Sequence, residues 1–137
     1  MDMLSFINQH KDISDSIRQI NALIKGDIVK NAIEVRKLLS DLIERLSIHL
    51  IMEDKNIYPK AASSNNPELK IMAIKLQSEM LNTGQKLKDY SARWSSPARI
   101  NEDQSSFISE TNIIFSNIEK RILAEEKELY PLCMKLL

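Results

Sequence analysis

The chain has 137 residues, 43% of them hydrophobic, which is enough to bury one core and too few for two, so one domain spanning residues 1–137 is expected. Lysine plus arginine and aspartate plus glutamate both total 19, leaving no surplus charge to draw in nucleic acid or an anionic membrane. The lone Cys133 cannot close an internal disulfide, the opening MDMLSFINQHKD lacks the basic start and apolar run of a secretory signal, and charges interrupt every apolar stretch, so a soluble cytoplasmic protein is expected.

The first predicted helix starts after Asp2 as N-cap and carries Phe6, His10, Ile13, Ile17, Ile20 and Ile24 at steps of four and three until Gly26 stops it. One histidine interrupts an otherwise apolar stripe. The second begins near Asp27 and reads Val35, Leu39, Leu42, Leu46, His49, Glu53, Ile57, ending at Tyr58 before Pro59. A polar connection, SSNNPE, leads to the third helix, capped by Asn66 with Pro67 at its first position, whose stripe is Leu69, Ala73, Leu76, Met80, Thr83, Leu87, Tyr90 and Trp94. Gly84 lies beside that stripe, where a small residue would permit close helix approach. After the loop SSPARINED the fourth helix opens in NEDQ and runs Phe107, Thr111, Ile114, Ile118, Arg121, Glu125, Leu129, with Pro131 just beyond Tyr130.

A shift of 72 residues lays the second stripe on the fourth: Val35 on Phe107, His49 on Arg121, Glu53 on Glu125, Tyr58-Pro59 on Tyr130-Pro131. A shift of 70 lays the first on the third, His10 on Met80 and Ile24 on Trp94. The chain thus reads as a duplicated helical hairpin, and short connections predict an all-α, antiparallel up-down-up-down four-helix bundle. In that register the polar stripe positions fall in one layer of the core.

A carboxylate in an apolar stripe needs a partner, because burying an isolated charge is strongly unfavourable. His49 and Glu53, four residues apart, share one helix face and can grip one ion. Imidazole suits iron and zinc, and carboxylate suits iron, manganese and magnesium. Equally, Arg121 satisfies the same demand by forking onto Glu53 and Glu125 while His10 and His49 cap the network. Met80, Trp94, Tyr58 and Tyr130 read as packing residues, with a tyrosine hydroxyl available to the carboxylates, and Cys133 as a buried inert thiol.

The segments HLIMEDKNIYP at 49–59 and RILAEEKELYP at 121–131, with His10, resemble hemerythrin-like HHE cation-binding domains over almost the whole chain. That resemblance implies a histidine from the first helix of each hairpin and a His-x-x-x-Glu from the second, together holding two irons for oxygen, nitric oxide or iron-linked roles. His10, His49, Glu53 and Glu125 match; Met80 and Arg121 stand where two histidines are lost. Both losses fall in the second hairpin. The resemblance therefore implies a degenerate site: one iron, manganese or zinc ion at His10, His49, Glu53 and Glu125, in a non-catalytic binding or sensing protein for a metal or a small diatomic ligand.

The alternative is a metal-free interaction or regulatory module with a protein partner, its core carboxylates neutralised by Arg121. A histidine phosphotransfer bundle needs an exposed histidine, which neither stripe provides. No glycine-rich phosphate loop and no locally paired nucleophile points to an enzyme.

Overall fold

The computed structural model describes residues 2–137. Four long helices are joined by short pieces: α1 (Leu4–Lys25), α2 (Ile28–Asn56), α3 (Tyr58–Ala62), α4 (Pro67–Arg93), α5 (Pro97–Glu102), α6 (Gln104–Ala124) and α7 (Tyr130–Leu136), with one π-helical turn, Glu125–Leu129, between the last two. There is no strand among the described residues. As expected, α1 pairs with α2 and α4 with α6, two hairpins closed into an all-helical bundle.

Start signals act locally where the sequence places them. Asp2 Oδ1 accepts from the Leu4 amide at 2.9 Å, Asp27 caps α2 through Lys30, Asn66 caps α4 through Leu69, and Asp103 caps α6 through Ser106. Each satisfies one of the amide groups that a helix start leaves without a partner.

Three boundaries depart from the sequence reading. Beyond a break at Ile57 the chain resumes as α3, with Pro59 in its first turn where no amide donor is needed. The loop at 95–103 is partly helical, because Ser96 caps Arg99 ahead of a proline at the first position. Nor does Pro131 end the last helix. The Tyr130 amide reaches the Glu125 carbonyl, and this wider turn carries the chain past the proline into α7, which buries Cys133.

The core is divided in two. Ile13, Ile17, Ile20, Val35, Leu39, Leu42, Leu87, Tyr90, Phe107 and Ile118 belong to one cluster; Met3, Phe6, Ile57, Leu69, Ala73, Leu76, Leu129 and Cys133 belong to the other. Burying each aliphatic side chain contributes about 1.5–3 kcal/mol, so both halves are held by apolar packing. Between them lies a layer made of His10, His49, Glu53, Arg121 and Glu125, all buried.

The stripe of α4 is the least buried of the four: Met80 and Thr83 are half-buried. Gly84 permits no close approach, since a Cβ built on it meets nothing within 4 Å. No helix among the described residues is long and apolar enough to cross a membrane.

Candidate metal centre

Helix α1 delivers His10 to the polar layer, α2 delivers His49 and Glu53 one turn apart, and the junction of α6 with the π turn delivers Arg121 and Glu125. One donor atom from each of His10, His49, Glu53 and Glu125 lies within 4.8 Å of every other. His10 Nε2 is 3.0 Å from His49 Nε2 and 3.0 Å from Glu125 Oε1, and His49 Nε2 is 2.9 Å from Glu53 Oε1. Donors held about 2.1 Å from a shared ion and at right angles to each other stand about 3.0 Å apart. These spacings therefore suit a common cation.

Two details support that fit. Glu53 Oε1 is buried and has no aligned hydrogen-bond donor, although a lone carboxylate oxygen in a core ordinarily has one. The two imidazole nitrogens face each other at 3.0 Å, where two lone pairs would repel unless a proton or cation lay between them. Both features ask for positive charge at one point.

The outer atoms of the four residues are held in place. Tyr130 donates its hydroxyl to Glu53 Oε2 at 2.9 Å, and Tyr58 donates to Glu125 Oε2 at 2.8 Å. Each hairpin's tyrosine thus orients the other hairpin's glutamate, leaving Oε1 to face the centre. His49 Nδ1–H donates to Gln9 Oε1 at 2.6 Å, since an amide oxygen can only accept, so Nε2 faces the centre and offers its lone pair there once its proton is lost. His10 Nδ1 lies 3.5 Å from Glu126 Oε2 without an aligned hydrogen bond. Such supporting contacts fix the orientation of metal-binding side chains.

Burial alone would lower His49, but Glu125 and Glu53 outweigh it and raise it to about 9. Burial, aided by Glu125 and opposed by His49, pushes Glu53 up to about 8. Glu125 goes the other way: burial would raise it, yet His10, His49 and the Arg121 charge hold it well below the usual carboxylate range. Burial and the Glu125 charge push Tyr58 and Tyr130 upward, so both hydroxyls remain donors. At neutral pH the layer thus holds protons that any cation would have to displace.

Arg121 sits beside this group, but contrary to the metal-free alternative read from the sequence it does not fork onto both Glu53 and Glu125. Its Nη1 donates to the Leu76 carbonyl and its Nη2 to the Tyr58 hydroxyl, while Nε lies 3.4 Å from Glu125 Oε2. Glu53 Oε2 is already taken by Tyr130, which leaves Arg121 a single carboxylate partner. Met80 lines a cavity of about 10 Å³ together with His10, His49, Thr83, Arg121 and Glu125. That is about the smallest space that holds one water.

The sequence reading missed Gln9 and Glu126, which lie outside the apolar stripes. Their neighbours in sequence, His10 and Glu125, were the available signal: a polar residue next to a buried one reaches the same layer from its edge. The Tyr-Pro repeat is legible in the sequence, whereas the exchange of its hydroxyls between hairpins is not.

The hemerythrin HHE cation binding domain family matches residues 5–133, nearly the whole chain. No curated protein and no solved structure matches it.

Proposed function

Because the chain belongs to the hemerythrin HHE cation-binding domain family, we propose that it binds one metal ion at His10, His49, Glu53 and Glu125, with Arg121 standing where a second ion's ligand would be. In this reading it is a non-catalytic binding or sensing protein, responding to iron or another divalent ion and, through it, to oxygen or nitric oxide. The observation that carries the reading is the convergence of four buried donor atoms within 4.8 Å. A bound ion would supply concentrated positive charge and open coordination positions to polarise a small ligand.

The residues divide that work. The imidazoles and the Oε1 atoms hold the cation, Tyr58 and Tyr130 keep the carboxylates turned inward, and Gln9 sets the His49 ring. The apolar clusters above and below keep bulk water out. The adjoining cavity is about the smallest that holds one water, so a diatomic ligand would enter only as Met80 and its other lining side chains shift. Arg121 repels a second ion from the other side of Glu125.

Loading the purified protein with ferrous iron, manganese or zinc and measuring bound metal after gel filtration tests this. About one ion per chain is expected, with loss in His10→Ala and Glu53→Ala; a chain that emerges without metal from every loading refutes it. One observation favours a second reading, a metal-free regulatory module: Glu125 already touches a buried guanidinium and a tyrosine hydroxyl. In that case metal neither binds nor raises the melting temperature, and the protein works through a partner.

A further inference from the structure

Between α4 and α6 lies a pocket of about 300 Å³ that is separate from the four converging donors. Its deepest charged group is Arg121, 9% exposed. Of the five N–H groups of a guanidinium, the Leu76 carbonyl and the Tyr58 hydroxyl take two and Nε lies 3.4 Å from Glu125 Oε2, which leaves the second N–H of each terminal nitrogen without an acceptor among the described residues. Lys86 from α4 and Lys120 from α6, both exposed, complete a group of three cations. Neither lysine is ion-paired among the described residues. Glu79 is the one carboxylate in the lining, and half-buried Thr83 and Asn117 add neutral polar groups.

We propose that this pocket binds a small oxyanion of the carboxylate or phosphate class, seated on Arg121 and flanked by Lys86 and Lys120. A planar guanidinium with unused donors matches the paired oxygens of such groups. The surplus of positive charge disfavours a cation. The volume of about 300 Å³ admits a ligand of a few heavy atoms. The site does not depend on metal at the four donors; it shares only Thr83 and Arg121 with the small cavity beside them.

The test uses the full chain after dialysis against a chelator. Inorganic phosphate and acetate are titrated separately, at ionic strength held constant with chloride, into isotope-labelled protein while the amide resonances of Thr83, Asn117 and Lys120 are followed. Saturable shifts are expected from at least one of the two probes, and which one saturates distinguishes a phosphate from a carboxylate site. In the double variant Lys86→Glu, Lys120→Glu, whose positions are exposed, binding should weaken about tenfold or more, the scale of two lost surface ion contacts. In Lys37→Glu, on the exposed face of α2, it should be unchanged. No saturable shift at tens of millimolar from either probe, or equal loss in the double variant and in Lys37→Glu, overturns the proposal.

Discussion

Replacing Arg121 by methionine removes a buried charge while keeping a long side chain, so little of the effect comes from an empty cavity. The side chain is 9% exposed, donates to Leu76 and Tyr58, and lies 3.4 Å from Glu125. Removing one member of a buried ionic pair generally costs about 3–5 kcal/mol. Glu125 keeps Tyr58 and His10 as partners, which places the expected loss near the lower bound, about 3 kcal/mol. For a chain of this length that is a fall in melting temperature of about 10–15 °C.

The assay is thermal unfolding by circular dichroism of the chelated wild type and variant, repeated with a divalent ion. An ion present at 100 times its dissociation constant returns about 2.7 kcal/mol. The variant should also bind that ion more tightly than the wild type, because the repelling guanidinium is gone. A chelated variant that melts within about 2 °C of wild type would refute the role given to Arg121, since a shift that small is below 1 kcal/mol.

The other expectations rest on single contacts. Tyr58→Phe and Tyr130→Phe should each weaken metal binding about 10–100-fold, as lost supporting hydrogen bonds do, and a competition assay with a chromogenic chelator measures it; unchanged affinity in both variants contradicts the orienting role. Gly84→Ala should stabilise the chain by about 0.5–1 kcal/mol in urea unfolding, because alanine is the better helix former and its Cβ meets nothing. Burial pushes the Cys133 thiol from 9.0 up to about 11, so at pH 8–9 the folded protein should react with iodoacetamide far more slowly than the unfolded one, and rapid labelling of the folded chain would show the thiol to be open.

How far the sequence carried the reading depends on whether the signal was periodic. The buried stripes of α1, α2 and α6 follow steps of three and four, and the shift of 72 residues placed Glu53 and Glu125, and Tyr58 and Tyr130, in equivalent positions. Those regularities were enough to bring His10, His49, Glu53 and Glu125 into one layer. What periodicity does not encode is what a side chain does at its far end. In the metal-free alternative Arg121 holds two glutamates; it holds one, because the Tyr130 hydroxyl occupies Glu53 Oε2. Gln9 acts through a long amide from beside the stripe, and Pro131 lies within a helix because a π turn precedes it. Met80 and Thr83 keep the stripe's spacing yet are half-buried, since α4 packs less closely there than its pattern implies.

The crossing of the two tyrosines ties ligation to assembly. Tyr58 and Glu53 come from one half of the molecule and Tyr130 and Glu125 from the other, yet each hydroxyl serves the opposite carboxylate. Neither half alone can present both oriented carboxylates, so a peptide of residues 1–66 would carry His10, His49 and Glu53 with nothing to aim the Glu53 carboxylate. If the centre binds a cation as proposed, its affinity would gauge whether the halves have closed, and a change that pries them apart anywhere along their length would be felt at the centre as two misdirected oxygens.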